Sequence, residues 1–340
     1  MNLLLKINGL SLIIPIYNVE KHIEECLQSV SESMGDLPNI QVILVDDGSQ
    51  DESGRIAKNY AATNSKFLYL FKGNGGLSDA RNYGLKYVRY NYVAFLDSDD
   101  SIQKPYFRKI FKALERQPNM IIFDWLDVEE GRKPQVVSGM DFTEVLWTVQ
   151  PGAWNKVYET SIFKDIKFPK GRVFEDVGTI YKLLHYIDDY IYINEPLYNY
   201  RKNRKGSILS TVSFSINDIY SALEDTHNFY SAKGALNGEN QTGLCYQYVK
   251  LLYWSNMYRQ LQFFKYDFWG FYLKMKETRL LIYNRFPEWK YNEHLIRNEN
   301  FFNSRLGDGY INKLDLIGKS FLPTFQTIIY LVSKNQKRLG

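Results

Sequence analysis

Three carboxylates stand in the run Asp97-Ser98-Asp99-Asp100, directly after the apolar stretch Tyr92-Val93-Ala94-Phe95-Leu96. Acids packed this closely repel, and each prefers to stay hydrated. A divalent cation would relieve the conflict, because hard cations such as Mg²⁺ and Mn²⁺ take carboxylate oxygens and commonly bridge to a phosphate. The chemistry read from Asp97, Asp99 and Asp100 is therefore a metal–diphosphate site. An acidic surface loop is the competing reading, and the apolar strand before it argues against that.

Further residues could serve the same ligand. Asp46-Asp47-Gly48-Ser49 follows Val42-Ile43-Leu44-Val45. It could be a turn plus helix cap; a carboxylate there could also accept the imide N–H of uracil or thymine. Asn74-Gly75-Gly76 is a loop and helix start, or a turn whose glycines let a backbone approach a nucleotide closely. One turn on, Arg81 could pair with phosphate or with one of the aspartates. Glu175-Asp176 lies between Phe174 and Val177. It reads as a helix-start acid pair favoured by the macrodipole, or as a general base whose proton affinity an apolar wall raises. Trp154 offers a stacking face for a sugar, and Lys156 a cation for phosphate. Tyr198-Asn199-Tyr200-Arg201 through Arg204, Lys205 and Ser207 reads as a basic loop, either closing over a diphosphate or solvated. His22, His185, His227 and His294 show no zinc spacing.

The elements that must position these residues alternate strand and helix. Ser11-Leu12-Ile13-Ile14 is a strand that Pro15 should end, and Asn18 can cap the next helix. Ile23, Cys26, Leu27 and Val30 mark one face of that helix. A second helix should run to about Ala62. Phe67-Leu68-Tyr69-Leu70 is a third strand, and Leu77, Ala80, Gly84 and Val88 mark a third helical face. Strands joined by helices of this length indicate a parallel sheet with right-handed crossovers and ligands at the strands' carboxyl ends. Tyr17-Asn18, Asp46-Asp47, Asn74-Gly75-Gly76 and Asp97–Asp100 should then share one rim. Pro105–Gln117 reads as a helix, Met120-Ile121-Ile122-Phe123 as a strand and Ile191-Tyr192-Ile193 as a late strand. After about residue 212 the chain reads as aromatic-rich helix, giving two domains, 1–211 and 212–340.

At 340 residues and a net charge of +4, nucleic-acid binding is not demanded. Cys26 and Cys245 are too few for a disulfide framework and fit a reducing compartment. No stretch approaches the ~20 apolar residues of a membrane span, and the N-terminus shows no signal pattern. The expected location is cytoplasmic, with peripheral attachment at the inner face of the membrane as an option. The 27 tyrosines suit polar clefts or packing.

Four segments resemble a family 2 glycosyltransferase of the GT-A fold: Ser11–Asn18 (including Pro15, Tyr17 and Asn18), Val45–Asp51, Asn74–Asn82 and Phe95–Asp100. Their order and spacing match over about residues 10–205. The resemblance implies an α/β fold, with a mostly parallel nucleotide-binding sheet flanked by helices, and a helical C-terminal extension. It implies an inverting, metal-dependent transfer of a hexose-type sugar from a nucleotide-diphospho-sugar, expected to be a UDP-sugar, to a glycan, lipid-linked or glycoprotein hydroxyl. By carry-over, Asp47 or Asp46 holds the base, Asp97 contacts the ribose side together with Ser98, and Asp99 ligates Mn²⁺ or Mg²⁺ with Asp100 as a further contact. Asp176, beside Glu175, is the catalytic base, and Trp154 and Lys156 line the cleft.

Two rivals stand beside this reading. A sugar nucleotidyltransferase would carry Arg and Lys in a Gly-rich loop after the first strand, where this chain has Pro15-Ile16-Tyr17-Asn18. A non-catalytic nucleotide-sugar-binding subunit of a polysaccharide assembly complex would not need the acid pair. The apolar stretch Phe321–Val332, followed by Lys334, Lys337 and Arg338, reads as an interfacial helix with a cationic anchor or as a core-packing helix. The aromatic C-terminal region could alternatively form a homo-oligomer contact or an acceptor-side wall.

Overall fold

The computed structural model describes residues 9–202, 214–265, 267–297 and 309–339. The chain divides into two compact units, Met1–Ser210 and Thr211–Gly340. Arg204, Lys205 and Ser207 lie outside the described residues.

In the first unit β1 (Leu10–Ile16), α1 (Ile23–Met34), β2 (Ile40–Asp46), α2 (Ser53–Thr63), β3 (Phe67–Phe71), α3 (Leu77–Leu85) and β4 (Tyr92–Phe95) alternate. There follow β5 (Ser101–Ile102), α4 (Tyr106–Leu114), β6 (Met120–Val128), β7 (Gln135–Val137), β8 (Lys156–Glu159), α5 (Glu175–Leu183) and β9 (Tyr190–Arg201). The strands form one sheet in the order β3-β2-β1-β4-β8-β6-β9-β5, with β7 on β6. The first four are parallel. Beyond β4 the sheet is mixed: β8 runs antiparallel to β4 and β6, and β9 runs parallel to β6.

Every residue of β1, β2 and β4 is buried, which is why these strands read as mainly apolar runs, with the buried Ser11 hydroxyl donating to Gln41 at 2.8 Å. Alternate side chains serve opposite layers. Leu12, Ile14, Val42 and Leu44 pack with Ile23, Cys26, Leu27 and Val30 of α1. On the other face, a Cβ on Gly84 of α3 would come within 2.7 Å of the Ile13 side chain, so only glycine allows this approach. Burying each such Leu or Ile contributes about 1.5–3 kcal/mol.

Four expectations need correction. β1 runs through Pro15 to Ile16; β4 pairs only with Leu10 to Ile13, so the proline nitrogen lies past the end of that ladder and needs no partner there. Asn18 does not cap α1, which begins at Ile23 with His22 at the N-cap. The buried residues of α3 include Arg81, whereas Leu77 and Val88 are only half-buried. Tyr198 to Arg201 are not loop but the end of β9, and a register shift opposite Phe123 and Asp124 carries this strand past Pro196.

The second unit is helical: α6 (Asp218–Ala232), α7 (Gly238–Tyr248), a π-helical stretch Val249–Asn256, α8 (Met257–Phe264), α9 (Phe268–Arg285), α10 (Glu293–Arg297), α11 (Tyr310–Leu316) and α12 (Phe321–Leu339). Tyr230, Tyr246, Tyr248, Tyr253 and Trp289 are fully buried in it, so its tyrosines are packing residues first. Among the described residues, no helix is long and apolar enough to cross a membrane.

Candidate active site

The loops after β1, β2 and β3 and the start of α3 are tied together at the carboxyl edge of the parallel strands. Tyr17 is exposed, and Asn18 takes a positive φ of 50°. The Asn18 side chain accepts a hydrogen bond from Gln50 N at 2.8 Å, joining the first loop to the second. Asp46 is buried and accepts from Ser49 N (2.9 Å) and from the Tyr69 hydroxyl (2.7 Å). Asp47 is buried as well; it accepts from Gly75 N at 3.0 Å, Gly76 N at 2.7 Å and the Lys72 ammonium. Neither carboxylate is the open base acceptor the sequence suggests. Asp47 instead clamps the glycine turn, and Gly76 enters α3 at φ 84°, where a side chain would be strained. Asn74 stands exposed just before this turn.

Arg81 is the centre of the site. Its side chain is 1% exposed, and its guanidinium meets Asp97 (2.9 Å), Glu175 (3.0 Å) and Asp176 (2.6 Å). Phe168 and Phe95 flank it, with ring centroids at 5.2 and 5.9 Å. The sequence leaves Arg81 open as a phosphate ligand or an ion-pair partner, and in the structure it is an ion-pair partner. Burial opposes its charge, but Asp176, Asp97 and Glu175 outweigh burial and hold its proton affinity above the ordinary value. Three acids on one cation leave negative charge in excess. Burial and the charge of Asp176 push Glu175 up to about 7 against the pull of Arg81. Burial likewise raises Asp176, again opposed by Arg81. Asp176 is aimed by two donors, Arg81 and the Ala153 N–H at 3.1 Å. Phe174, just before the pair, takes a left-handed φ of 61°. That costs of order 1–3 kcal/mol and sets the angle at which Glu175 and Asp176 enter α5.

The acidic run divides by burial. Asp97 and Asp99 are half-buried; Ser98 and Asp100 are buried. Asp100 accepts from the Tyr198 hydroxyl and from Arg201 N, both at 2.7 Å. Burial and the charges of Asp99 and Asp97 raise its proton affinity well above the usual range. Asp100 therefore braces the loop against β9 and is not placed as a metal ligand. Asp97 and Asp99 are the carboxylates of the run that could hold a hard cation. They do not form a closed cage by themselves: among the described residues, only Glu239, Glu293 and His294 in the second unit bring three ligand atoms within 4.8 Å.

Three expected cleft residues are placed otherwise. Lys156 is fully buried, its ammonium on Gln150 O (2.6 Å), Gly152 O (2.6 Å) and Asn155 Oδ1 (2.5 Å). Three acceptors match the three N–H bonds of an ammonium, while burial lowers its proton affinity to about 7 against the pull of Asp176. It holds the turn that carries the Ala153 N–H and does not reach a phosphate. Trp154 is half-buried in an aromatic stack, its ring centroid 4.5 Å from that of Tyr198 and 5.2 Å from that of Tyr200. Arg201 pairs with Glu25 at 2.7 Å and donates to Asp99 O at 3.0 Å, tying β9 to α1 and the acidic loop.

Four contributors escaped the sequence reading. They are Lys72 and Tyr69 on the aspartate pair, the Tyr198 hydroxyl on Asp100 and on Asp97 N, and the Ala153 N–H on Asp176. Each acts across at least 23 residues of sequence and leaves no local motif.

Residues 11–181 match the family described as Glycosyl transferase family 2. Glycosyltransferase GlyA of Streptococcus pneumoniae is 32% identical over 219 residues, covering 58% of this chain and 31% of that protein. The chain thus spans about a third of the length of that relative. The crystal structure of Staphylococcus aureus TarS 1-349 in complex with UDP-GlcNAc superposes with a TM-score of 0.61 at 21% identity, covering 97% of this chain and 92% of that one. The mannosyltransferase PcManGT of Pyrobaculum calidifontis, solved with GDP-Man and Mn²⁺, gives 0.52 at 16% identity, covering 97% and 86%. At those identities the two structures show the fold alone, a sheet flanked by helices with a helical C-terminal region. With the family match running from β1 into α5, this chain belongs to glycosyl transferase family 2.

Proposed function

We propose that this family 2 glycosyltransferase moves a hexose-type sugar from a nucleotide-diphospho-sugar, with a UDP-sugar as the expected donor, to a hydroxyl of a glycan, lipid-linked or glycoprotein acceptor, with inversion at the anomeric carbon. The observation that carries the reading is the Arg81 cluster. It joins Asp97, at the donor-side acidic loop, to Glu175 and Asp176, the acids with raised proton affinity. A donor-binding acid and a candidate base are thereby held on one buried cation.

In this reading Asp176 takes the proton of the acceptor hydroxyl. The acceptor oxygen bonds to the anomeric carbon as the bond from that carbon to the diphosphate breaks, and the nucleoside diphosphate leaves with the electron pair. Arg81 and the Ala153 N–H hold the Asp176 carboxylate in place for the attack. Asp99, with Asp97, would hold a divalent cation, which when bound offsets charge developing on the leaving diphosphate. Asp47, the Gly75-Gly76 turn and Lys72 form the base side; accepting an imide N–H there would replace one of the turn's hydrogen bonds to Asp47. The donors bound by TarS and PcManGT support a nucleotide sugar, with a uridine base in one and a guanosine base in the other.

A thermal-shift panel of UDP-, dTDP- and GDP-sugars, with and without Mn²⁺, tests the proposal. A donor at ~100-fold above its Kd stabilises the fold by about 2.7 kcal/mol. The expected result is stabilisation by one donor, dependent on Mn²⁺ and lost in Asp99→Ala, accompanied by release of the nucleoside diphosphate when acceptor is supplied. Stabilisation with no release from any donor would overturn the catalytic reading in favour of a binding subunit.

A further inference from the structure

The acidic run Asp97–Asp100 is gripped by the end of β9. The backbone N–H of Asp97 donates to the Tyr198 hydroxyl at 3.2 Å, and that hydroxyl donates to Asp100 Oδ2 at 2.7 Å. Tyr198 thus bridges the first and last residues of the run. Arg201 completes the grip: its N–H donates to Asp100 Oδ1 at 2.7 Å and its guanidinium to Asp99 O at 3.0 Å. Each of these contacts falls on the backbone of Asp97 or Asp99, or on the inward side chain of Asp100.

The position of the hydroxyl is itself fixed. Tyr198 is fully buried, so its hydroxyl must be satisfied within the protein, and it is satisfied on the acidic run. The ring stacks on Trp154, with centroids 4.5 Å apart and planes 26° from parallel. Trp154 also stacks on Tyr200, at 5.2 Å and 12°, and meets Trp125 edge-on at 5.0 Å. A ring clamped in such a stack holds its rotamer, and the hydroxyl then reaches the run from one direction.

Electrostatics gives the grip a purpose. Three neighbouring carboxylates repel one another, so a loop without support would splay them. Turning Asp100 inward onto two donors withdraws it from the run's outer side. Asp97 and Asp99 stay half-buried, as the pair that a cation meets.

We propose that Tyr198 is a positioning residue for the divalent cation, fixing the spacing of Asp97 and Asp99 through the backbone of Asp97 and the inward anchoring of Asp100. This role rests on the transfer reading given above and deepens it. Removing a hydrogen-bond partner that orients a metal's ligands typically costs roughly 10–100-fold in metal affinity.

The test is Mn²⁺ binding by the full chain, read by electron paramagnetic resonance with UDP or GDP present, alongside the thermal midpoint. Tyr198→Phe keeps the ring in its stack and removes the hydroxyl; it should weaken Mn²⁺ binding about tenfold or more. Trp154→Leu keeps the hydroxyl and loosens its support, and should weaken binding by a smaller factor. Wild-type affinity in Tyr198→Phe, even with a lowered thermal midpoint, makes the hydroxyl merely structural and overturns the proposal while the transfer reading stands. Wild-type affinity in Trp154→Leu overturns the part given to the stack. No Mn²⁺ binding by the unsubstituted chain with either nucleotide overturns both the proposal and the metal-dependent part of the transfer reading.

Discussion

Arg81 in the first unit and Asp315 in the second each stand at the centre of an ion cluster, with opposite ratios of charge. Arg81 is one cation ringed by three acids. Asp315 is one acid that receives Arg279 at 2.9 Å, Lys290 at 2.5 Å and the Tyr283 hydroxyl. The proton affinities respond in opposite directions. Burial penalises the Asp315 charge, but Lys290, Tyr283 and Arg279 outweigh it and hold Asp315 below the usual carboxylate range. Glu175 and Asp176 are held above it. The Asp315 cluster is saturated and can only fasten helices. The Arg81 cluster holds two acids whose proton affinity burial raises, the direction that proton transfer near neutral pH needs.

The sharpest way to break this contrast is Asp176→Asn. Turnover should fall by roughly 10²–10⁴-fold with donor affinity nearly kept; unchanged turnover in a steady-state assay removes Asp176 from the base role. Next in size is Arg81→Met, which leaves three acids without their buried cation and should cost about 3–5 kcal/mol in urea unfolding. Asp315→Asn keeps the shape and some of the hydrogen bonds, and should cost less, about 1–3 kcal/mol. If Asp315→Asn proves the more damaging, the assignment of a structural and a functional cluster is reversed. Lys156→Met should cost about 1–3 kcal/mol, because the Gln150 and Gly152 carbonyls lose their donor. Its turnover should fall as well, since the Ala153 N–H loses its support. A stability loss with full turnover in the folded protein would show that the turn does not aim Asp176.

The last contrast is in pH dependence, and its sign differs between the clusters. With Glu175 raised from 4.5 to about 7, the folded protein holds a proton that the unfolded chain has released across that window. Stability from this group therefore falls as pH rises from 4.5 to about 7. Asp315, depressed in the fold, contributes stability that is present above the ordinary aspartate range and is lost as pH falls through its folded value. Urea midpoints measured across pH should lose the first slope in Glu175→Gln and the second in Asp315→Asn. Parallel profiles in the two variants would contradict the opposed shifts.

Much of the first unit was legible because parallel strands buried on both faces leave unbroken apolar runs, as at Val42–Val45 and Tyr92–Leu96. The shared rim was legible too, since side chains just past the ends of parallel strands must gather at one edge; the bonds from Asn18 to Gln50 and from Asp47 to Gly75 bear this out. The late strand runs well past the Ile191–Ile193 that its pattern shows, because Glu195 and Pro196 interrupt the pattern where a register shift accommodates them. Lys156 is not legible in the sequence, where a buried lysine and a cleft lysine look alike; only the three acceptors around its nitrogen separate them.

Local pattern thus settled the α/β class, the strand-end rim and which segments carry acid, because hydrophobic periodicity and turn chemistry act within a few residues. The tertiary fold alone decided what each acid does. Asp97 and Asp99 remain half-buried while Asp100 is turned inward onto Tyr198 and Arg201, and burial raises the proton affinity of Asp176 against the pull of an arginine 95 residues earlier in the chain. Burial and the distance to a partner charge set a carboxylate's solvation and its proton affinity, and neither quantity is a property of the residue's neighbours in sequence.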